Sequence, residues 1–321
     1  MQNKRLSYID IAKGILILMV VWDHLPDVYI YILKQTNIHI EWLNETQWIF
    51  KIFFMPAFFC ITGFCSNFNK DFKSFFISNA KTLLIPNILL GMITNRSFAL
   101  GAIILHGGNY WFLSALFVAK MIYFPLNRFF SDIFLIRLFM LLVLVFIGFS
   151  LNGIPTNYDV WYFHYAFNLA IFLELGKQLR QKGNMQIFSI ASILYLIICL
   201  TLSILDIHKP VVALGTNCKV YEIPFYLLSA STGSCLILWI SRKIESCKVL
   251  EYFGSESLIF YIFQVIVMQV LEKIYIAHFE ILGWPSVIFF VLVISIITII
   301  VLSVISRILE TRYLKFVLGK F

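Results

Sequence analysis

Residues Val287 to Ile305 read VIFFVLVISIITIIVLSVI, which is a run of nineteen residues without a charged side chain. An α-helix of about twenty apolar residues crosses the hydrocarbon core of a bilayer and satisfies its own backbone hydrogen bonds there. A membrane β-strand would instead alternate apolar and polar side chains over about ten residues. This run therefore predicts a transmembrane helix and an all-α membrane protein.

The composition of the whole chain agrees with this class. Of the 321 residues, 60% are hydrophobic and only 13% are charged, whereas soluble domains are about 45–50% apolar and about 25% charged. Similar apolar runs recur along the chain and predict one membrane-embedded domain over residues 1–321 with about ten transmembrane helices. The predicted spans are 11–33, 48–66, 78–94, 110–127, 133–151, 161–178, 186–205, 222–241, 253–275 and 285–308.

The distribution of Lys and Arg predicts the orientation. With ten spans, eighteen of these residues fall on one side and six on the other, and Arg137 is counted among the eighteen as a loop charge. Cytoplasmic loops carry such an excess of basic residues. The chain is therefore predicted to be a multi-pass protein of the plasma membrane with both termini in the cytoplasm.

Composition also excludes some functions. The net charge of +8 comes from short basic clusters between apolar runs, a pattern that favours contact with anionic membrane lipid over nucleic acid. The six cysteines include no CxxC pair, so neither a metal site nor a disulfide framework is expected.

The first predicted span carries the best candidates for chemistry, Asp10, Lys13, Asp23 and His24. Charged groups at membrane depth are costly and often functional. Lys13 and His24 are eleven positions apart, about three helical turns and roughly 16 Å along one face. This spacing suits a long anionic donor such as an acyl-CoA. Alternatively, Asp10 caps the helix, Lys13 anchors it at the interface, and the Asp23–His24 pair marks the outer water interface.

Three other stretches have a structural interpretation beside a functional one. In Phe53–Phe64, Pro56 would kink the helix and Gly63 would permit close helix packing. The aromatic residues of Asn109–Ser114 and Gly254–Tyr261 are typical of interfacial belts. Residues 161–165, which read WYFHY, are either interfacial or line a sugar site.

Taken in order, these motifs resemble the acyltransferase-3 family of integral membrane acyltransferases, and especially its fucose 4-O-acetylase-like branch. Lys13 and His24 match the family's basic residue, ten intervening residues and histidine. Phe58–Phe64 is similar to its second-span motif and Trp111–Phe117 to its fourth-span signature. Gly254–Tyr261 is similar to its late Gly-x-x-Ser-Leu-x-x-Tyr pattern.

The resemblance implies transfer of an acetyl group from acetyl-CoA to a hydroxyl of a cell-surface or exported saccharide, or of a glycolipid precursor. It implies that His24 is a general base or a transient acyl carrier, since histidine can take a proton near neutral pH. Asp10 or Asp23 would orient or polarise nearby groups, and Lys13 and Lys81 would meet the CoA phosphates. The implied substrate-binding residues are Trp111, Ser257, Tyr261 and Gln264.

Three departures from the family pattern leave other functions open, and one of them is Val21–Trp22–Asp23, where relatives usually have a small residue in the Trp22–Asp23 stretch. The branch usually has His where this chain has Phe54, and the late motif often ends in His where this chain has Gln264. Neither side chain can accept a proton as an imidazole does. A catalytically silent partner in polysaccharide assembly is therefore an alternative. A saccharide or lipid transporter or flippase is another, in which the charges of the first helix form a permeation relay. The sequence shows no repeated halves with broken helices, which are common in transporters.

Overall fold

The computed structural model describes residues 6–25, 50–95, 101, 105–151, 160–183, 185–204, 220–278, 284–311 and 314–319. Within these ranges the chain is helical and has no β-strand, which confirms the all-α prediction. The helices are α1 (Ser7–Asp23), α2 (Phe54–Cys65), α3 (Phe72–Asn79), α4 (Ile85–Asn95), α5 (Trp111–Phe129), α6 (Phe134–Leu151), α7 (Phe163–Lys182), α8 (Met185–Ile204), α9 (Ile223–Ile244), α10 (Lys248–Ser255), α11 (Ser257–His278) and α12 (Trp284–Leu309). A π-helical segment covers Ala80–Leu84, and short 3-10 turns cover Val220–Glu222 and Lys315–Leu318.

Five helical stretches are long and apolar enough to cross a membrane, so the described residues support a multi-pass membrane protein. The helices α2 and α8 contain shorter apolar stretches. Ten spans and cytoplasmic termini stay predictions. The five stretches are Phe72–Thr94, Phe134–Leu151, Ile223–Ile244, Ser257–Tyr275 and Phe289–Leu309.

The third predicted span differs most from the structure. Its helix begins at Phe72 rather than at residue 78, because the Asp71 side chain accepts a hydrogen bond from the Ser74 backbone amide at 2.8 Å and caps α3. The π-helical segment then leads into α4, where Pro86 occupies the first turn and its missing N–H is tolerated. The apolar patch that follows, 98–105, lies mostly outside the described residues.

The antiparallel helices α2 and α7 pack backbone to backbone at the centre of the bundle. A Cβ atom on Gly63 would lie 2.2 Å from the Leu173 carbonyl oxygen, and one on Gly176 would lie 1.8 Å from the Cys60 carbonyl oxygen. Only glycine allows such an approach, and small residues are common where membrane helices touch. The close packing predicted at Gly63 is confirmed.

A buried ion pair joins α6 to α7. Arg137 donates from Nη2 to Glu174 Oε1 at 3.0 Å and from Nε to Oε2 at 3.1 Å, and both side chains are 3% exposed. Tyr123 on α5 and Gln178 also donate to the Glu174 carboxylate. The prediction that Arg137 is a loop charge is wrong, because its partners on other helices draw it into the protein.

Candidate functional site

Three neighbouring cavities lie along one face of α1. The first, which we call the lysine cavity, has a volume of about 480 Å³ and is lined by Lys13, Lys70 and Lys120. The Lys120 ammonium also lies 5.6 Å from the centre of the Phe75 ring. The other polar side chains of the lysine cavity are Thr62, Ser66, Asn67, Ser78, Asn79 and Thr82, together with the exposed Cys65.

The second, the middle cavity, is narrower and mostly apolar, with a volume of about 180 Å³. Lys13, Thr62 and Thr82 line both this cavity and the lysine cavity, so the two adjoin. Its polar residues are completed by Ser257 and Tyr261. Its apolar walls are Ile17, Met55, Phe58, Leu83, Phe112, Leu113, Leu116 and Leu258.

The third, the histidine cavity, has a volume of about 230 Å³ and contains His24. Met55 and Tyr261 line both this cavity and the middle cavity, so these two cavities adjoin as well. Its lining residues are Val20, Asp23, His24, Lys51, Phe54, Met55, Trp111 and Tyr261.

The helical period of α1 explains why one helix faces all three cavities. Lys13, Ile17, Val20 and His24 line them in turn. Their spacings of four, three and four residues keep them on one side of a helix. The prediction that Lys13 and His24 share a face is therefore confirmed, and the space between them is open enough to form cavities.

Asp23 and Asp10 occupy different places. Asp23 lines the histidine cavity, where its Oδ1 lies 3.1 Å from Lys51 Nζ. Asp10 is buried on α1 fourteen residues before His24, about 21 Å along the helix axis. The N-cap of α1 is Leu6, so the interpretation of Asp10 as the cap is wrong.

Asp10 lies near the N-terminal end of α1, where both cations and a second carboxylate are close to it. Its Oδ1 lies 3.9 Å from Lys13 Nζ, and it lines a separate cavity with Lys248 and Glu251. The structure therefore brings Asp23 to His24 and leaves Asp10 at the lysine end of α1.

Of the remaining predicted site residues, some line the three cavities and others do not. Trp111 and Tyr261 line the histidine cavity, and Ser257 lines the middle cavity. Gln264, one turn beyond Tyr261 on α11, is fully buried and lines none of the three cavities. Lys81 is exposed on the π-helical segment and also lines none of them.

Sequence reasoning missed several cavity residues. Lys70 and Lys120 join Lys13 where Lys81 was expected, and Lys51 joins Asp23 beside His24. Lys120 carried a usable signal, because it is a charge inside a predicted span, the criterion that selected the first helix. Thr62 carried none, since a threonine in an apolar helix usually bonds to the preceding turn.

Two further observations bear on cofactors. No group of three or more His, Cys, Asp or Glu side chains that could hold a metal ion occurs among the described residues. The three lysines of the lysine cavity form a cluster of positive charge that is suited to phosphates, which lysine binds as a point charge.

Comparison with known proteins gives one match. The family model of an acyltransferase domain, acyltransferase 3, matches residues 6–304. This range includes every residue that lines the three cavities. No curated protein and no solved structure matches the chain.

Proposed function

Since this chain belongs to the acyltransferase-3 family, we propose that it is a membrane O-acetyltransferase. It moves an acetyl group from acetyl-CoA to a hydroxyl of a cell-surface or exported polysaccharide, or of its glycolipid precursor. Family membership supports a membrane acyltransferase; the donor and the acceptor are the proposed steps. The fucose 4-O-acetylase-like branch is likewise a proposal that rests on the sequence motifs.

The observation that carries the proposal is the series of cavities from three lysines to one histidine. A coenzyme A thioester has phosphates at one end, an extended arm with amide groups in the middle and the thioester at the other end. Lys13, Lys70 and Lys120 offer cations for the phosphates. The middle cavity offers apolar walls and the hydroxyls of Thr62 and Thr82, and the thioester end would lie toward His24.

His24 performs proton transfer in this proposal. Acetyl-CoA supplies an acetyl carbonyl that is activated by a thiolate leaving group. His24 accepts the proton of the acceptor hydroxyl as that oxygen attacks the carbonyl, and it then returns the proton to the departing sulfur. One C–O bond forms and one C–S bond breaks, so no further reactant is needed.

Lys51 and Asp23 assist beside His24. The Lys51 ammonium faces the histidine cavity and can stabilise negative charge that develops on the carbonyl oxygen. Its pair with the Asp23 carboxylate, at 3.1 Å, keeps it in the cavity, so Asp23 has a positioning role. Phe54 lines the same cavity with an apolar ring, and Gln264 lies outside it, so both of these departures from the family pattern leave proton transfer to His24.

The proposed binding of acetyl-CoA also fits the membrane orientation that the basic residues predict. Acetyl-CoA is a cytoplasmic metabolite, and the excess of basic residues predicts that the lysine end of α1 faces the cytoplasm. The acceptor would then approach His24 from the other end of the bundle. We propose the plasma membrane as the location, with anionic lipid around the basic loops.

The decisive experiment combines transfer with binding. Purified protein in lipid receives radiolabelled acetyl-CoA and extracted envelope saccharides, and wild type is compared with His24→Ala. We expect transfer to fall by about 10²- to 10⁴-fold in the variant, the usual contribution of a general base. Folding and expression should be unchanged, because the half-buried His24 follows the last residue of α1 and its side chain lines a cavity.

Cysteine labelling measures donor binding independently of transfer. Cys65 lines the lysine cavity, whereas Cys247 lies at the start of α10 outside it. We expect coenzyme A to protect Cys65 from a thiol reagent and to leave Cys247 unprotected, in wild type and in His24→Ala alike. Absence of both protection and transfer in wild type would overturn the proposal. Solute passage without coenzyme A binding would favour a transporter, and neither activity would favour the silent partner.

A further inference from the structure

A contiguous surface of aromatic rings begins in the wall of the histidine cavity and continues beyond it. Trp111 lines the cavity, and the Tyr165 ring centre lies 4.7 Å from that of Trp111. The Tyr162 ring stacks on Tyr165 with centres 6.2 Å apart and only 17° between the planes. We call Trp111, Tyr162 and Tyr165 the aromatic platform.

The backbone that presents the platform is strained. Trp161 and Tyr162 have φ angles of 51° and 53°, in the left-handed region that bulky residues rarely adopt. Such residues persist where the surrounding structure holds them in place, often at ligand sites. The Trp161 backbone amide donates to the Leu105 carbonyl at 3.1 Å. Its ring lies so close to Gly107 that a Cβ there would be 2.7 Å away.

A buried asparagine fixes the loop on the other side of Trp161. Asn87 is fully buried, and its amide nitrogen donates to the Gly107 carbonyl at 3.1 Å and to the Ser114 hydroxyl at 2.8 Å. Its amide oxygen accepts from the Tyr110 backbone amide at 2.9 Å. The platform is therefore held by hydrogen bonds and packing of the protein itself, before any ligand binds.

The platform differs from a belt of interfacial aromatics. Belt residues point their rings at lipid and headgroups. The neighbouring Phe163 has 39% of its surface exposed, and its ring packs on Phe167 at 5.8 Å. Tyr162 is the N-cap of α7 and Tyr165 lies in its first turn, and the two rings stack on each other. The Tyr165 ring also packs against Trp111, and Trp111 lines the histidine cavity.

We propose that the aromatic platform binds a pyranose ring of the acceptor and presents one of its hydroxyls to His24. The negative face of an aromatic ring attracts C–H groups, and a pyranose has one face of C–H groups and a rim of hydroxyls. The Tyr162 and Tyr165 hydroxyls can donate to or accept from that rim. This inference rests on the proposed function and names the acceptor site within it.

Steady-state kinetics with a matched control tests the platform. Tyr165→Ala and Tyr162→Ala should each raise the KM for the saccharide acceptor by roughly fivefold to tenfold, the loss of about one aromatic contact. The KM for acetyl-CoA and the protection of Cys65 should not change. The control Phe163→Ala, in the same turn of α7, should leave the acceptor KM unchanged. Unchanged acceptor KM values in both tyrosine variants would overturn the inference.

A glycine variant separates recognition from folding. Tyr162→Gly removes the ring and also relieves the left-handed strain, so it should be more stable than Tyr162→Ala. It should nevertheless raise the acceptor KM as much as Tyr162→Ala does. A merely structural role predicts instead that the KM follows stability, and that result would contradict the inference.

Direct binding distinguishes failure of the platform from failure of the proposed function. Calorimetry without acetyl-CoA would use chito-, fucosyl- and rhamnosyl-oligosaccharides with wild type and Tyr165→Ala. Binding by wild type that weakens in Tyr165→Ala supports the platform even where no acetyl transfer occurs. If transfer occurs but no oligosaccharide binding depends on Tyr165, the platform is wrong and the proposed function stands.

Discussion

Two sets of charged side chains contrast with each other, one buried between helices and one lining a cavity. Arg137 and Glu174 are almost fully buried and direct their polar atoms at protein partners on α5, α6 and α7. Lys13, Lys70 and Lys120 instead end in a cavity of about 480 Å³. An Asp10 carboxylate oxygen lies 3.9 Å from Lys13 Nζ.

The difference shows how to interpret charge at membrane depth. Such charge is costly wherever it occurs, and the cost must be offset by partners. In the Arg137–Glu174 pair the partners are side chains and carbonyls of the bundle, so nothing is left for a ligand. Around the lysine cavity the offset is incomplete, and a polyanion can supply the rest. We call a charged group saturated when partners in the protein take up its hydrogen bonds and its charge. This saturation, and not the charge alone, distinguishes a structural ion pair from a ligand-binding cation.

The largest effect on stability is expected at the saturated pair. Glu174→Ala leaves the Arg137 guanidinium buried without its carboxylate, and breaking such a pair costs about 3–5 kcal/mol. The free energy of unfolding in detergent should fall by this amount, whereas Lys177→Ala, which removes a half-buried hydrogen bond to Asn127, should have a smaller effect.

A double variant checks the cause of that loss. Arg137→Met combined with Glu174→Ala removes both charges and should be more stable than Glu174→Ala alone, because no buried charge is left unpaired. If the double variant were less stable than either single variant, packing rather than charge would be the main contribution of the pair.

Substitution of the lysines that line the lysine cavity should show the opposite pattern. The affinity for acetyl-CoA should fall, and the stability of the protein should change little. A hydrogen bond to a charged group contributes about 1.5–3 kcal/mol, so Lys13→Ala and Lys120→Ala should each raise the KM for acetyl-CoA by roughly ten- to a hundredfold. Lys81→Ala is the control, because Lys81 is exposed outside the cavity. A larger effect from Lys81 than from Lys120 would restore the sequence-based prediction.

Sequence reasoning succeeded where a pattern is local. The length of an apolar run fixed α6, predicted at 133–151 and observed at Phe134–Leu151. Helical periodicity likewise placed Lys13 and His24 on one face. Both features depend on residues that are neighbours in the chain. The length of the apolar run is therefore enough to predict the helix bounds, and the helical period is enough to predict the shared face.

It failed where a partner is distant in sequence. Arg137 was assigned to a loop because its carboxylate partner is 37 residues away on α7. The Trp161–Gly107 contact that shapes the aromatic platform depends on backbone angles that composition does not reveal. The early start of α3 depends on the cap at Asp71, and the π-helical segment after it continues the helix. Counting apolar residues detects neither feature.

The smallest effect is expected at Asp71, an exposed charge that belongs to neither set. The Ser74 backbone amide donates to its carboxylate and holds the pKa of Asp71 below its ordinary value. Because the folded-state pKa is lowered, the stabilisation is present above about pH 4 and is lost as the pH falls through the folded-state value. Asp71→Asn, which keeps a capping oxygen, should remove this pH dependence from the melting temperature, and Asp71→Ala should also lower the melting temperature at pH 7. A shift as large as that of Glu174→Ala would mean that exposure does not weaken a charge in this bundle, and saturation would no longer explain the contrast.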